Sequence, residues 1–246
     1  WPAEHPVELV MEGAEERDPH TFPRGTPPAD CEFVCILDPI DGTRNLMYDK
    51  RPGWMLTGLA HRRAEGTRLA DIVVAVMTEL PTTKQWASDQ ISGVRGCGPQ
   101  GLVAERIDIR SGRREPLMLR PSQASDFHNG FASIARFFPE GKTMLARLEE
   151  SLWEALYGLG TQASPLVFDD QYMTTGGQLY ELMAGHDRML GDLRPLVYRR
   201  IGFHSALVCH PYDICTAMLL EEVGGLIEDP FGRPLDVPLD TTSAVA

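Results

Sequence analysis

Four short apolar runs near the N-terminus constrain the fold of this chain more than any other feature of its sequence. They are Val7 to Met11, Phe33 to Leu37, Met55 to Ala60 and Ile72 to Met77, and Gly, Pro and Asp punctuate the sequence around them. Runs of this length that are apolar at nearly every position predict β-strands covered on both faces. The glycine-rich segment from Lys84 to Gly101 predicts a hairpin after them.

The second half of the sequence has helical periodicity instead. Apolar residues recur at spacings of three and four between Lys142 and Tyr157, which predicts an amphipathic helix. Further helices are predicted from Gly177 to Ala184 and from Tyr212 to Val223, with short strands from Ser205 to Val208 and from Leu226 to Glu228. Strands and helices interleave without an internal repeat, so the sequence predicts a mixed α+β architecture.

Composition and charge exclude several functional classes. The 246 residues carry 35 acidic and 23 basic side chains, a formal net charge of −12, so we expect no nucleic-acid partner. The longest apolar run, Ile72 to Met77, is far shorter than the about 20 residues of a membrane-spanning helix, and no secretion signal is recognisable. Five cysteines without a Cys-x-x-Cys pair predict free thiols and a cytoplasmic protein. Since the first residue is Trp1 and not Met, we expect further residues upstream.

The stretch from Leu37 to Asn45 concentrates the chemistry of the sequence. It reads Leu-Asp-Pro-Ile-Asp-Gly-Thr-Arg-Asn and directly follows a predicted strand. Pro39 stiffens the segment between Asp38 and Asp41, and Gly42 permits a sharp turn after them. Such a turn directs two carboxylates to one point beside free backbone N–H groups, which a divalent cation and a phosphate together require. The alternative is a solvent-exposed turn, because Asp-Gly is common in loops.

Two further acids lie at the predicted ends of other elements. Glu12 follows the predicted strand that ends at Met11, and Asp213 lies in the first turn of the helix predicted from Tyr212, where the helix dipole favours negative charge. Surface solvation alone would explain Glu12, and helix capping alone would explain Asp213. If both acids converge with the Asp38 motif, the four carboxylates form a site for hard cations.

Residues 38–45 resemble the Asp-Pro-Ile/Leu-Asp-Gly-Thr/Ser-x-Asn signature of the inositol monophosphatase family of lithium-sensitive, magnesium-dependent phosphatases. Residues 212–217, with Glu-Val-Gly-Gly at 222–225, are similar to the second signature of that family, although Tyr212 replaces its Trp and Thr216-Ala217 replace its Ala-Gly. The order and spacing of the two motifs also match. The resemblance implies a layered α-β-α-β-α sandwich and a homodimer.

The resemblance also implies a metal ligand set. Asp38 would bridge two Mg²⁺ ions, and Asp41 and Asp213 would complete the coordination of the second. Glu12 and the carbonyl oxygen of Ile40 would bind the first. The family binds two or three Mg²⁺ ions per site, with Mn²⁺ as a substitute and Ca²⁺ or Li⁺ as inhibitors.

The same resemblance implies the catalytic residues, which are Thr43, Asp41 and Glu12. The Thr43 hydroxyl would orient the attacking water, and the N–H groups of Gly42 and Thr43 would bind phosphate oxygens. Glu12 is not followed by the second acid that the family has there, so Glu15 is the alternative ligand. A further Asp that pairs with the threonine in the family would lie upstream of the first residue.

Substrate contacts are implied at three further positions in addition to Asp41. Thr175 and Gly176 stand where the family has a Gly-Thr-Ala turn that touches the substrate. Asp192 resembles the acid that binds a sugar hydroxyl. The alternatives are a helix start for the turn and a solvated loop acid for Asp192.

The sequence therefore predicts a Mg²⁺-dependent phosphomonoesterase of a small polyol, inositol or sugar phosphate. Residues 1–165 would form a part that carries the first motif, and residues 166–246 a part that carries Asp213. Fructose 1,6-bisphosphatase or 3′(2′),5′-bisphosphate nucleotidase activity is the alternative within the family. A non-catalytic, metal-dependent binding protein is the alternative from another class, which the intact Thr43 argues against because binding needs no residue that orients water.

Overall fold

An eight-stranded mixed sheet forms one side of the structure, a computed structural model that describes residues 4–13, 20–158 and 167–246. Its strands in chain order are β1 (Val7–Met11), β2 (His20–Phe22), β3 (Phe33–Asp41), β4 (Gly53–His61), β5 (Ile72–Leu80), β6 (Ala87–Val94), β7 (Leu102–Asp108) and β8 (Arg114–Pro116). They lie in the order β2-β1-β3-β4-β5-β6-β7-β8, and only β1 and β3 are parallel. The four predicted strands are confirmed. The predicted hairpin is formed by β6 and β7, but β7 begins at Leu102, just beyond the predicted segment.

The large sheet buries one face and leaves the other partly exposed. Along β3, Ile36 and Asp38 are buried, and Leu37 between them is half-buried on the opposite face. On that outer face, Met55 and Val103 are 40% and 58% exposed. The prediction of strands covered on both faces is therefore wrong for these strands, because side chains of the outer face are exposed to solvent.

A second sheet of three parallel strands was not predicted. It contains β9 (Gly130–Ile134), β10 (Val167–Phe168) and β11 (Asp187–Gly191) in the order β10-β9-β11. Helix α2 (Lys142–Tyr157) follows β9, and helix α3 (Thr175–Ala184) follows β10. The strand order makes the two crossovers run in opposite directions along the sheet. Since crossovers between parallel strands are right-handed as a rule, this order places α2 and α3 on opposite faces. The predicted boundary between residues 165 and 166 lies outside the described residues.

Three more helices complete the layers: α1 (Thr43–Met47), α4 (Arg194–Ile201) and α5 (Ala217–Glu222). Helix α3 contacts β4 of the large sheet and β11 of the small sheet, and α5 packs beside α3 against β5 and β6. Helices α2 and α4 pack together on the far side of β9. The described layers are therefore sheet, helices, sheet and helices, and the predicted α+β class is confirmed.

The main core fills the space between the large sheet and helices α3 and α5. Both surfaces contribute fully apolar side chains, which remove their area from water and stabilise the layered arrangement. The most deeply buried are Ile36, Trp54, Leu56, Ala60, Ile72, Ala75, Met77, Ile91, Met183, Cys215, Met218 and Leu219. A small second core joins Leu145 of α2 to Ile134 and Val197.

Other predicted elements differ from the structure. Helix α2 has the predicted bounds, with left-handed glycines at both ends, but its predicted apolar face is partly exposed because Leu148 and Leu156 are 45% and 51% accessible. The helix predicted from residue 212 begins at Ala217, and residues 211–216 form turns. The segments 205–208 and 226–228, predicted as strands, are not strands in the structure. Isolated β-bridges pair Cys209 with Val245 and Glu228 with Pro234 instead.

All five cysteines are free thiols, as the sequence predicts. Cys31, Cys209 and Cys215 are buried, and Cys97 is exposed. None of the described helices combines the length and the apolar character that crossing a membrane would require.

Candidate active site

A bulge at the end of β3 places two aspartates on the same face of the strand. In a regular strand, residues three apart point to opposite faces. The pairing of β3 with β4 shifts between Asp38, opposite Leu56, and Asp41, opposite Trp54, so β3 carries one extra residue there. Asp38 and Asp41 are therefore both buried beneath the sheet, where α3 begins.

Gly42 turns the chain from β3 into helix α1. Its φ of +87° is in the left-handed region, and a Cβ at this position would lie 3.0 Å from the Cβ of Thr174. The Thr43 hydroxyl donates to the carbonyl oxygen of Ile40 (2.9 Å). The N–H of Ile40 donates to Oδ1 of Asp38 (2.9 Å). The N–H groups of Gly42 and Thr43 have no acceptor among the described residues, so they are available to an anion.

The first turn of α3 holds Asp41 in place. Oδ2 of Asp41 accepts hydrogen bonds from the Thr174 hydroxyl and from the N–H of Gly176, both at 2.6 Å. The same hydroxyl accepts the N–H of Gly177 (2.9 Å) and so caps the helix. The N–H of Gly176 thus binds Asp41, whereas Thr175 lines the cleft described below.

Asp213 lies in the turn before α5, and its carboxylate is close to those of Asp38 and Asp41. Its Oδ2 accepts the N–H of His210 at 2.6 Å, and its own N–H donates to the carbonyl of that residue. The prediction that Asp213 lies in the first turn of a helix is wrong, because α5 begins four residues later at Ala217. Carboxylate oxygens of Asp38, Asp41 and Asp213, the acidic cluster, all lie within 4.8 Å of one another.

The acidic cluster is electrostatically unfavourable without a cation. Burial, followed by the charges of Asp41, Glu12 and Asp213, raises the pKa of Asp38 to about 10. Burial also raises the pKa of Asp41 to about 7 and that of Asp213 well above its usual range. No Lys or Arg forms an ion pair with these three carboxyls in the described part of the chain. Such a set of buried hard oxygen donors fits a divalent cation.

Glu12 lies beside the cluster but outside it. It follows β1, its N–H donates to the carbonyl of Leu37 (3.1 Å), and its side chain is exposed. Its charge acts on Asp38, and it lines the same cleft, yet it is not among the carboxylates within 4.8 Å of one another. Glu15, the alternative ligand, lies outside the described residues.

A cleft of about 370 Å³ opens above the acidic cluster. Besides the acids it is lined mostly by apolar side chains, which sequence reasoning did not identify. Four of them, here called the apolar wall, are Phe137, Phe138, Leu207 and Val208. No periodic signal marks these residues, because they lie in loops after β9 and α4.

Asp192 and Gly176 are the two predicted site residues in the described part of the chain that do not line this cleft. Oδ1 of Asp192 accepts from Nε of Arg194 (2.8 Å), and its Oδ2 accepts from Nη2 of the same side chain (2.5 Å). Arg194 itself is buried and lines the cleft. Asp192 thus faces Arg194 and not the cleft.

Comparison with known proteins gives matches to solved structures. No protein-family model and no curated protein matches the sequence. The chain is similar to the extragenic suppressor protein SuhB from Bartonella henselae, with a TM-score of 0.58, 16% identity, and 92% of this chain and 66% of that one covered. For inositol monophosphatase II from Staphylococcus aureus the TM-score is 0.54 and the identity 16%, with 95% and 67% covered.

A third similar structure is an IMPase/NADP phosphatase complexed with Mg²⁺ and phosphate, with a TM-score of 0.56 and 13% identity over 96% of this chain and 67% of that one. The chain thus spans about two thirds of the length of these structures. At this level of identity the likeness establishes the fold.

Proposed function

We propose that this chain, whose fold is that of the inositol monophosphatase family, is a metal-dependent phosphomonoesterase. The observation that carries the proposal is the convergence of Asp38, Asp41 and Asp213 within 4.8 Å without a protein cation among the described residues. The unbonded N–H groups of Gly42 and Thr43 stand beside this cluster. Oxygen ligands next to anion-binding N–H groups are what metal-assisted phosphate chemistry requires.

The residues take the following roles in the proposal. Asp38, Asp41 and Asp213 hold Mg²⁺, and Glu12 and the Ile40 carbonyl extend the ligand set. Bound Mg²⁺ would supply charge neutralisation of the phosphate and a water of lowered pKa. Two or three Mg²⁺ ions per site, replacement by Mn²⁺ and inhibition by Ca²⁺ or Li⁺ belong to the same proposal.

The other residues of the site position the ester and the water. The N–H groups of Gly42 and Thr43 bind phosphate oxygens, and the Thr43 hydroxyl orients the water. The water oxygen bonds to phosphorus, the bond from phosphorus to the alcohol oxygen breaks, and the alcohol leaves with a proton. Inorganic phosphate is the second product. Thr174 and Gly176 fix Asp41 during this step through their hydrogen bonds.

Phosphate release from a panel of esters, with and without Mg²⁺, tests the proposal. The panel contains the esters that the resemblance favours, inositol 1-phosphate, fructose 1,6-bisphosphate and adenosine 3′,5′-bisphosphate, together with simple alkyl phosphates. We expect Mg²⁺-dependent release that Asp213→Asn abolishes and that Asp126→Asn, at an exposed acid outside the cleft, leaves unchanged. Metal binding without release from any ester would identify a binding protein instead. A homodimer stays the expectation from the resemblance, and a cytoplasmic location stays the expectation from the cysteines.

A further inference from the structure

The cleft beside the acidic cluster has two chemically distinct parts. All the carboxylates among its described lining residues belong to the cluster or to Glu12. The rest of the lining combines the apolar wall, Met47 and Met173 with polar side chains, which are Thr43, Arg44, Thr174, Thr175, Gln178 and Arg194. A substrate whose phosphate lies on the cluster therefore has an apolar surface available to its alcohol portion.

The side chain of Arg194 contacts the residues of the apolar wall and holds them in place. Its guanidinium carbon lies 4.7 Å from the ring centroid of Phe137 and 5.5 Å from that of Phe138. Its Nη1 donates to the carbonyl of Leu207 at 3.0 Å, so one side chain fixes three of the four wall residues. Stacking of aromatic rings on a buried guanidinium holds those rings in defined positions.

Asp192 completes this support because its carboxylate pairs with the guanidinium of Arg194. It binds Nε and Nη2 of Arg194, and the Leu207 carbonyl binds Nη1, so each guanidinium nitrogen has a partner. These bonds hold the guanidinium of Arg194 in place, and Asp192, which does not line the cleft, faces Arg194. Hydroxyl groups of a polyol that face the Phe137 and Phe138 rings would have no hydrogen-bond partner on those rings, which costs binding free energy.

Resting on the proposed function, we infer that the apolar wall selects phosphate monoesters of an apolar, ring-sized alcohol over esters of a polyol. Asp192 and Arg194 are positioning residues for this wall. A hydrophobic pocket discriminates between substrates by the apolar groups it buries, and typical ratios are about 10- to 200-fold.

Two esters with the same carbon skeleton test this inference. Cyclohexyl phosphate and inositol 1-phosphate are both esters of a secondary alcohol on a six-carbon ring, and they differ in the ring hydroxyls alone. With Mg²⁺ present, we expect kcat/KM to be at least about tenfold higher for cyclohexyl phosphate. Phe138→Ala should reduce this preference by about tenfold, and Phe138→Leu, which stays apolar, should retain most of it. Phe131→Ala, at a partly exposed ring outside the cleft, is the matched control.

Asp192→Asn separates the two roles of that residue. If Asp192 positions the wall through Arg194, kcat/KM falls more for cyclohexyl phosphate than for inositol 1-phosphate. A selective loss for inositol 1-phosphate would instead make Asp192 a hydroxyl-binding residue and overturn the inference.

The remaining outcomes distinguish the inference from the proposed function. Turnover of inositol 1-phosphate with equal or higher kcat/KM overturns the inference and leaves the phosphatase proposal standing. A preference for cyclohexyl phosphate that Phe138→Ala does not reduce also overturns it, because the wall would not be its source. Absence of turnover for every ester overturns both.

Discussion

Replacing Asp38 by asparagine should stabilise the metal-free protein while it removes the response to Mg²⁺. Asparagine is nearly isosteric, and its side-chain oxygen can still accept the N–H of Ile40 that binds Oδ1 of Asp38 at 2.9 Å. What the substitution removes is a buried carboxyl that lies among Asp41, Asp213 and Glu12. The fold should therefore gain free energy of unfolding, which is rare for a substitution at a buried polar residue.

The structure gives the size of this gain. Carboxylate oxygens of the acidic cluster lie within 4.8 Å of one another, and at that limit two carboxylates repel by about 3.5 kcal/mol at an effective dielectric constant of about 20. Proton uptake by Asp38 relieves this repulsion but costs about 1.4 kcal/mol for each pH unit above its ordinary pKa, which is about 5 kcal/mol at pH 7.5. These two costs bound the gain, so we expect about 3–5 kcal/mol near pH 7.5. For a chain of this length that raises Tm by about 6–20 °C.

Thermal and urea unfolding in EDTA and in Mg²⁺ measures both effects. The free energy of unfolding of the wild-type protein should rise by about 2.7 kcal/mol when Mg²⁺ is about 100-fold above its Kd, and that of Asp38→Asn should rise far less. Mg²⁺ should therefore narrow or reverse the difference in stability between the two proteins.

Asp89→Asn is the matched control for this experiment. Asp89 is equally buried, but Arg106 donates to both of its carboxylate oxygens at 2.8 Å and the Tyr180 hydroxyl donates to one at 2.7 Å. This substitution should cost about 1–3 kcal/mol with and without Mg²⁺. If Asp38→Asn destabilised the metal-free protein as Asp89→Asn does, the acidic cluster would not be a repulsive cation site and the reasoning would fail.

Three further predictions concern single residues. Thr216→Val should stabilise the fold by about 1 kcal/mol in urea unfolding, because the Thr216 hydroxyl is fully buried and has no hydrogen-bond partner among the described residues; a loss of stability would reveal one. Asp187→Asn should stabilise the fold by about 1–2 kcal/mol at pH 8 and hardly at all at pH 4. Burial, then the charges of Glu181 and Asp170, raises the pKa of Asp187 to about 6, so the folded protein keeps a proton that the unfolded chain loses near pH 4, and stability falls as the pH rises through that window. An effect of equal size at both pH values would contradict this cause. Thr43→Val should lower kcat by about 100-fold or more while the Mg²⁺-induced rise in Tm persists, and Thr43→Ser should restore turnover; a normal kcat in the valine variant would exclude the water-orienting role.

The sequence predicts β3 and the acidic motif because both are local features. The apolar run that ends at Leu37 identifies the strand, and the Asp-Pro-Ile-Asp-Gly segment identifies the turn after it. The same holds for α2, whose bounds coincide with left-handed glycines at Gly141 and Gly158. The bulge between Asp38 and Asp41 could not be predicted, since it exists only in the pairing of β3 with β4. That bulge is what brings the two carboxylates to one face.

Elements whose stability comes from distant partners were missed. Strand β10 has two residues, and β11 begins with Asp187 and Arg188, so neither has the apolar pattern of a strand. Both are held by parallel pairing with β9, which lies far away in the sequence. The resemblance predicted Asp213 as a residue of the site, whereas helical periodicity wrongly predicted that it lies in a helix. The hydrogen bond to the N–H of His210 defines its actual turn.

The two parts of the cleft arise from different parts of the fold, and this separates chemistry from selectivity. Asp38 and Asp41 lie at the end of a central strand of the large sheet, and the first turn of α3 fixes Asp41, so the acidic cluster is rigid. The apolar wall comes from the loops after β9 and α4, and Arg194 joins these loops. Loops tolerate substitution far better than a central strand does. Changes in the wall can therefore alter which alcohol is accepted without disturbing the carboxylates that hold the cation.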